Sequence, residues 1–254
     1  MRQVNVIGIM GAMPEEIDGI IHLLTDVTQD VYGMRTYYSG FANGQKYVVV
    51  FSRWGKVAAA TTVTTLIHEF GVNKVLFIGV AGAIHSSLKV GDVVIGKRFV
   101  QHDLDARPLL NKYEIPLLNQ SYLLANEDGL EEAKKAVSNV LDVSNIHHLI
   151  SEGNLTRFHI SSPQLYVGDI ASGDQFISND EVRENIAQEL PGVLCVEMEG
   201  ASVAQVCFEY KVPLTVIRII SDEANENSPI EFPEFIKYIS STYSVEIVKQ
   251  LFNL

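Results

Sequence analysis

The stretch LCVEMEGAS, residues 194–202, joins an apolar run to a run of small residues. The segment GVLCVEM predicts a short buried strand, and EGASVAQVCFEY predicts a helix directly after it. Glu197 and Glu199 flank Met198 at the point where the strand ends and the helix begins. Ligands of α/β proteins bind beyond the carboxyl ends of the strands, so this junction is a candidate functional site.

Strand and helix patterns alternate on both sides of this junction, and the alternation predicts an α/β fold. Asn43-Gly44 between two β-rich runs adds a hairpin, so we expect a central mixed β-sheet flanked by helices. No linker or repeat divides the 254 residues, which suit a single domain, 1–254. The predicted strands lie at 4–10, 73–84, 90–103, 164–176 and 212–225, and the predicted helices at 14–24, 56–70, 121–137, 179–190 and 231–252. Residues 138–163, which are polar and contain several histidines, show no clear pattern.

The composition excludes several classes of function. A net charge of −12 repels phosphate backbones, so we expect no nucleic-acid partner. No apolar run is long enough to span a membrane, and the first residues lack the pattern of a signal peptide. Cys195 and Cys207 form no CxxC motif, which is typical of buried, reduced thiols. These features together predict a cytoplasmic protein without a membrane association.

Polar residues and glycines follow most of the predicted strands. Because the ends of parallel strands meet at one edge of a sheet, we expect these groups to converge on a cleft. They are Gly11-Ala12 followed by Glu16, Ala81-Gly82, Ser172-Gly173-Asp174 followed by Phe176, Glu197 with Glu199, and Arg218 with Ser221 and Asp222.

Each of these residues also has an ordinary structural explanation. Glu16 and Glu199 suit the first turn of a helix, and Asp222 suits the turn after its strand. Phe176 by itself is typical of a core residue. Arg218 is less ordinary, because a guanidinium inside an apolar strand needs a partner. Glu199 or Glu16 could supply that partner.

Other kinds of site find little support in the sequence. His102, Asp103 and Asp105 suggest a metal site, but no further ligand is evident, so we expect no metal. The chain contains neither GxxxxGK[ST] nor GxGxxG after the first strand, which disfavours nucleoside triphosphates and dinucleotides. It also lacks the GxSxG motif of serine hydrolases.

Eight motifs occur in the order expected for one known family. The chain resembles the 5′-methylthioadenosine/S-adenosylhomocysteine nucleosidases of the purine nucleoside phosphorylase-like superfamily over nearly its whole length, apart from about 138–163. VEMEGA followed by SD after the next strand is specific to the superfamily, and GAMPEE points to the nucleosidase branch. The motifs are IGIMGAMPEEI, SRWGKVAAA, FIGVAGAI, VGDVVIG, HDLDARP, ASGDQFI, CVEMEGASVAQVC and RIISDEAN.

The resemblance implies a hydrolase that releases adenine from methylthioadenosine and adenosylhomocysteine. Asp222 would be the general acid that protonates N7 of adenine. Glu16 would position and deprotonate the attacking water, and Glu199 would hold the ribose hydroxyls. Arg218 would orient Glu199 or the water network. No metal or organic cofactor is required.

The resemblance also implies a set of substrate-binding residues. Met198 would pack under the ribose, Phe176 would stack on the purine, and Ile177 would offer backbone hydrogen bonds to the purine. Glu197 would brace the site. Ala81, Gly82 and Ser221 complete the predicted set. Members of this family are typically homodimers, and the apolar, proline-bearing segment 103–118 is the candidate for closing over the partner's 5′ pocket.

Three positions depart from the family pattern. Arg53 stands where glycine is common, Val80 where serine is common, and Asn225 where aspartate is frequent. Arg53 makes a phosphorylase conceivable, because phosphate is usually held by arginine. A nucleosidase for a futalosine-type nucleoside and a nucleoside-binding protein without turnover are also compatible with this scaffold. The segment 138–163 is expected to reshape the pocket rim or an interface.

Overall fold

The computed structural model describes residues 5–224 and 228–254. Within these ranges strands and helices alternate, as the sequence predicts. The strands are β1 (Val6–Gly11), β2 (Thr25–Tyr32), β3 (Arg35–Ala42), β4 (Gln45–Phe51), β5 (Lys74–Ala83), β6 (Val93–Gln101), β7 (Tyr122–Leu124), β8 (Leu165–Ser172), β9 (Val193–Glu197) and β10 (Leu214–Asp222). The helices are α1 (Pro14–Ile21), α2 (Lys56–Phe70), α3 (Glu127–Val140), α4 (Val143–Leu149), α5 (Glu152–Arg157), α6 (Asp180–Glu189), α7 (Gly200–Tyr210), α8 (Ser228–Phe235) and α9 (Ser241–Phe252).

All of these strands belong to one mixed sheet. Its order is β10-β6-β8-β9-β5-β1-β4-β3-β2, with β7 paired to β6. Because β10 pairs with β5 as well as with β6, the strands β5, β9, β8, β6 and β10 close into a ring. The strands β1, β4, β3 and β2 extend from this ring as an open sheet. The prediction of a central mixed sheet flanked by helices is confirmed.

The helices cover apolar strands whose side chains are buried on both faces. On one face, α1, α3 and α9 pack near Ile9, Ile78 and Ile217. On the other face, α2 and α7 pack against each other and near Val48 and Phe77. The small residues at the start of α7 are fully buried, since only short side chains allow a helix to lie this close to its neighbours.

Several predicted boundaries were wrong. The helix predicted at 121–137 begins at Glu127, because Tyr122–Leu124 pairs with β6 instead. The helix predicted at 14–24 ends at Ile21. The strand β2 was not predicted, because its residues are all exposed and show no apolar alternation. It forms by pairing with β3 at the edge of the sheet.

Apolar residues of the segment 138–163 pack into the protein core, and no residue of the segment whose side chain the structure describes lines the cavity described below. It contains the end of α3 and the helices α4 and α5. Its apolar residues join the core cluster around α3 and α9, and the Phe158 ring meets the Phe235 ring edge-on at 5.4 Å between centroids. The expectation of a role at the pocket rim is therefore wrong for these residues, and the alternative, a role at an interface, stays a prediction. Among the described residues, no helix has the length and apolar character needed to cross a membrane.

Candidate active site

A cavity of about 350 Å³ lies where β1, β5, β9 and β10 end. Every residue to which the sequence analysis assigns a catalytic or substrate-binding role lines this cavity. These eleven residues are Glu16, Ala81, Gly82, Phe176, Ile177, Glu197, Met198, Glu199, Arg218, Ser221 and Asp222. The remaining lining residues are Ala12, Met13, Trp54, Gly79, Val80, Gln175, Val196 and Phe232.

The register of the closed ring brings these distant segments together. In the pairing of β10 with β5, Arg218 lies opposite Gly79 and Asp222 lies opposite Gly82. The pairing of β9 with β5 places Val196 opposite Gly82, so the end of β9 enters the same region. The strand predictions placed these residues at strand ends, but only the pairing of β10 with β5 brings them to one cavity.

Two glycines in β5 leave room for the carboxylates. A Cβ atom on Gly79 would lie 2.9 Å from Oε1 of Glu16, which is too close for a real contact. A Cβ atom on Gly82 would lie 3.0 Å from Oδ1 of Asp222. The absence of side chains at these two positions therefore allows both carboxylates to reach the cavity.

One carboxylate oxygen of Glu16 accepts hydrogen bonds at the start of α1, and the other has no hydrogen-bond partner among the described residues. Glu16 lies in the first turn of α1, where its Oε2 accepts hydrogen bonds from the backbone N–H groups of Ala12, at 2.6 Å, and Met13, at 3.0 Å. Its Oε1 is buried and accepts no hydrogen bond from the described residues. Such an oxygen is poised to accept a hydrogen bond from a ligand or water.

Burial dominates the protonation of Glu16. Desolvation raises its pKa to about 7, although the charge of Arg218 and nearby backbone N–H groups act in the opposite direction. A carboxylate whose pKa is close to neutral can gain or lose a proton near pH 7, which is the property that a general base needs.

Glu199 is held by the loop that precedes α2. Its Oε1 accepts a hydrogen bond from the backbone N–H of Gly55 at 2.8 Å. Desolvation, assisted by the nearby charge of Glu197, raises the pKa of Glu199 to about 8. The backbone carbonyl of Glu199 meanwhile begins α7, where it accepts from Ser202 Oγ at 2.7 Å. The carboxylate faces the cavity without an ion-pair partner among the described residues.

Arg218 pairs with Glu197, so the expectation that Glu199 or Glu16 supplies its partner was wrong. Its Nη2 and Nε lie 2.6 Å and 3.2 Å from Oε2 of Glu197, and both side chains are almost fully buried. The guanidinium also lies over the ring of Phe77, 4.1 Å from the centroid. The sequence could not distinguish the three glutamates, because their order along the chain does not reveal which carboxylate points toward β10.

The carboxylate of Glu197 is fully occupied by the protein. Besides Arg218, its oxygens accept from the backbone N–H of Gly200, at 2.8 and 2.9 Å, and from Ser172 Oγ. Ser172 Oγ in turn accepts from the backbone N–H of Ala201 at 2.7 Å. Glu197 therefore fixes the start of α7, and with it the position of Glu199.

Asp222 ends β10 with both of its oxygens hydrogen-bonded. Oδ2 accepts from Ser221 Oγ at 2.7 Å, and Oδ1 accepts from the backbone N–H of Ala224 at 2.8 Å. These bonds set the orientation of the carboxyl group. Asp222 therefore caps the turn after β10, as its ordinary structural explanation holds, and it also lines the cavity.

Three aromatic rings surround the mouth of the cavity. Phe176 is about half exposed, and its ring meets Phe232 edge-on at 5.7 Å between centroids. Trp54 is 65% exposed although it lines the cavity. Exposed aromatic faces beside a cavity are suited to stacking on a planar ligand. The sequence analysis did not predict Trp54 or Phe232 as site residues. Trp54 belongs to no apolar pattern in the sequence, so no local signal indicated that it lines the cavity.

The expected convergence on the cleft is wrong for Gly11, Ser172, Gly173 and Asp174, which are not part of the cavity lining. Ala12 and Val80 do line the cavity wall. Arg53 does not, and its Nη2 donates to the carbonyl of Met34 at 2.5 Å. No residue of 103–118 lines the cavity within one chain. Asn225 lies outside the described residues.

Two of the three residues considered for a metal site have ion-pair partners, and the third, His102, has a buried Nε2 without a hydrogen-bond partner among the described residues. Asp103 pairs with Lys56 at 2.6 Å, and Asp105 pairs with Arg107 at 2.5 Å. In the part of the chain that the structure describes, no group of three or more His, Cys, Asp or Glu residues could hold a metal ion.

The burial of Glu16 predicts a pH-dependent stability. Its pKa of about 7 exceeds the ordinary 4.5, so the folded protein binds a proton that the unfolded chain releases between these values. The resulting stabilisation is complete below about pH 4.5 and is lost as the pH rises through about 7. In Glu16→Gln the free energy of unfolding should no longer fall by this amount, which is on the order of 3 kcal/mol. Urea unfolding of both proteins at about pH 4 and about pH 8 measures it, and identical pH dependences would contradict the assignment.

Comparison with known proteins places the chain among enzymes that share this architecture. The family model described as the phosphorylase superfamily matches residues 6–253. An aminodeoxyfutalosine nucleosidase from Helicobacter pylori is 34% identical over 249 residues, which cover 98% of each chain. A 5′-methylthioadenosine/S-adenosylhomocysteine nucleosidase from Shewanella denitrificans is 36% identical over 232 residues, which cover 91% of each chain.

A solved structure agrees with these sequence matches. The 5′-methylthioadenosine/S-adenosylhomocysteine nucleosidase from Neisseria meningitidis, in complex with methylthio-immucillin-A, superimposes with a TM-score of 0.83 at 29% identity. The match covers 97% of this chain and 98% of that one. The chain therefore belongs to the phosphorylase superfamily and, within it, to the nucleosidases that hydrolyse the N-glycosidic bond of nucleosides.

Proposed function

We propose that the chain hydrolyses 5′-methylthioadenosine and S-adenosylhomocysteine to adenine and the corresponding 5-thio-ribose. The observation that carries this proposal is the unsatisfied Oε1 of Glu16 in a buried cavity that also contains Glu199 and Asp222. These three carboxyl groups, which unlike Glu197 form no ion pair among the described residues, suit a reaction that develops positive charge on a sugar and needs both an acid and a base.

The bond that breaks joins C1′ of the ribose to N9 of adenine. As it lengthens, C1′ gains oxocarbenium character, which a nearby carboxylate stabilises electrostatically. Asp222 serves as the general acid, which donates a proton to N7 so that adenine leaves as a neutral base. The hydrogen bonds from Ser221 and Ala224 hold Asp222 in one orientation during this transfer.

The attacking water is assigned to Glu16. Its free Oε1 accepts a hydrogen bond from water, and its pKa of about 7 allows it to take a proton as the new C1′–O bond forms. Glu199 accepts hydrogen bonds from the ribose hydroxyls, with Met198 packed below the sugar. Phe176 stacks on the purine, and the backbone of Ile177 hydrogen-bonds to its edge.

A phosphorylase is less well supported than a hydrolase. Arg218 is the only lysine or arginine among the described residues that line the cavity, and Glu197 already neutralises it. The side chain of Arg53, which made a phosphorylase conceivable, lies outside the cavity. Phosphate would therefore meet Glu16 and Glu199 without a free cation to hold it.

A second candidate substrate is aminodeoxyfutalosine. Two relatives from Helicobacter pylori strains, at 34% and 36% identity, carry that activity in their names. This nucleoside is also cleaved at the bond between adenine and ribose, so the same acid, base and ribose carboxylate would serve. Only the 5′ substituent differs between the two candidates.

The test is adenine release from methylthioadenosine, adenosylhomocysteine and aminodeoxyfutalosine, each with and without phosphate. We expect release from the first two without phosphate. A much higher kcat/KM for aminodeoxyfutalosine would assign the second candidate instead. Release that requires phosphate would overturn the hydrolase assignment, and no release from any of the three would overturn the enzymatic proposal.

We further propose that the chain acts as a cytoplasmic homodimer. Leu109 and Leu117 in the segment 103–118 are 87% and 95% exposed, and Trp54 at the cavity mouth is also exposed. A partner chain that covers these side chains would remove apolar surface from water and enclose the 5′ substituent. The buried, unpaired Cys195 and Cys207 suit a reducing compartment. Light scattering would contradict the dimer if it gave the mass of one chain at assay concentration.

A further inference from the structure

Three loops around the cavity are joined by a closed set of hydrogen bonds outside its lining. They are the junction between Gly55 and the first residue of α2, the loop after β6 and the loop after β8. Lys56 Nζ donates to Asp103 Oδ1 at 2.6 Å, and the backbone N–H of Asp174 donates to Asp103 Oδ2 at 2.9 Å. The backbone N–H of Lys56 donates to Asp174 Oδ1 at 2.8 Å, which closes the circuit.

The circuit lies at the N-terminus of α2, next to the contact that holds Glu199. Gly55 donates its backbone N–H to Glu199, and the next residue, Lys56, donates to Asp174. Two carboxylates thus satisfy adjacent N–H groups of the helix start, where negative charge is favourable. Loss of the bond to Asp174 would release the segment that orients Gly55.

The conformation of Gly55 and the space around it require a glycine at this position. Its φ of +92° lies in a region that side chains disfavour, and a Cβ atom there would lie 3.0 Å from Oδ1 of Asp174. Only glycine gives both the conformation and the space. The close approach of Asp174 to this residue is therefore part of the structure that presents the Gly55 N–H to Glu199.

We infer that Lys56, Asp103 and Asp174 are positioning residues, which hold the Gly55 amide against Glu199 and couple it to the loop that carries Phe176. None of the three lines the cavity. The inference rests on the proposed function only in assigning Glu199 to the ribose hydroxyls. The contacts themselves link the ribose side of the cavity with the purine side.

The only tryptophan of the chain offers a readout that does not depend on turnover. Trp54 immediately precedes Gly55 and lines the cavity. Its fluorescence therefore reports both the conformation of this loop and the binding of adenine. Iodide quenching of Trp54 should change in Asp174→Ala and Lys56→Met, and should stay as in the wild type in Lys74→Met. Lys74 forms a matched surface ion pair with Glu132.

The kinetic arm compares methylthioadenosine with its 2′-deoxy analogue. In Asp174→Ala and Lys56→Met, kcat/KM for the ribonucleoside should fall about ten- to a hundredfold, the effect of losing a charge-assisted hydrogen bond. The ratio of kcat/KM for methylthioadenosine to kcat/KM for the deoxy analogue should also fall, because the Gly55 N–H then holds Glu199 less firmly. Asp174→Asn, which keeps the acceptor oxygen for the Lys56 amide, should restore most of both values.

The outcomes separate this inference from the proposed function. Unchanged Trp54 quenching together with an unchanged ribo/deoxy preference in Asp174→Ala and Lys56→Met would overturn the positioning network. If the wild type cleaves neither nucleoside, the proposed function fails. The positioning network is then tested by iodide quenching of Trp54 and by the affinity for adenine. We expect both quantities to change in Asp174→Ala and Lys56→Met and to stay unchanged in Lys74→Met.

Discussion

Asp222→Asn should lower kcat on methylthioadenosine by about 10²–10⁴-fold, the usual contribution of a general acid. Asparagine keeps the shape of the side chain and can still accept the Ala224 N–H bond seen at 2.8 Å. It cannot donate a proton to N7 and regain one from solvent. Substrate affinity should therefore change little while turnover is lost, which single-turnover kinetics and a binding titration with Trp54 fluorescence measure separately.

The matched control for this variant is Ser221→Ala. Ser221 donates to Oδ2 of Asp222 at 2.7 Å but cannot replace it as an acid. We expect roughly a tenfold loss in kcat, in keeping with one lost hydrogen bond. Near-normal turnover of Asp222→Asn would refute the assignment of Asp222 as the acid. A loss of equal size in both variants would indicate that orientation, and not proton donation, dominates.

Arg218→Met should reduce the free energy of unfolding by about 3–5 kcal/mol, the effect of leaving one member of a buried ion pair without its partner. Glu197 is almost fully buried together with Arg218, at 2.6 Å between Oε2 and Nη2. Its remaining hydrogen bonds come from the backbone N–H groups of Glu199 and Gly200 and from Ser172 Oγ, and they do not neutralise its charge. Denaturant unfolding of the two proteins measures the difference.

Two further variants test the cause of this loss. Lys134→Met breaks an exposed pair with Glu131 and should change stability by less than about 1 kcal/mol. The double variant Arg218→Met with Glu197→Gln removes the orphaned charge and should recover part of the loss, because a neutral buried amide costs less than a lone carboxylate. A double variant that is no more stable than Arg218→Met alone would mean that packing over Phe77, rather than charge, accounts for the effect.

The two glutamates beside Met198 have different roles, which these variants also test. Glu197 is bonded to protein groups on all sides, whereas Glu199 has only the Gly55 amide as a side-chain partner among the described residues. Disruption of the pair between Arg218 and Glu197 should therefore reduce activity by displacing Glu199. Glu199→Gln should reduce activity with little change in stability.

Local patterns along the chain determined the fold class and predicted more than half of the residues that line the cavity, although not Trp54 or Phe232. Apolar runs that end in glycines, carboxylates or Arg218 are visible one residue at a time, and parallel strands direct such ends to a common edge. The motif order then sufficed to relate the chain to a family. Strands without an apolar pattern, such as β2, were not predicted. They form because they pair with a neighbouring strand and not because of a local sequence preference.

Only the tertiary structure decided how the carboxylates divide their roles. Glu16, Glu197 and Glu199 are chemically identical in the sequence, and the sequence-based expectation named Glu199 or Glu16, not Glu197, as the partner of Arg218. The pairing of β10 with β5 and the entry of β9 bring Glu197 to the guanidinium, which leaves Glu199 to the Gly55 amide and one oxygen of Glu16 unsatisfied. Burial then raises the pKa of Glu16 and of Glu199. Such assignments depend on distances between residues far apart in the chain, and on their separation from water, which no local pattern contains.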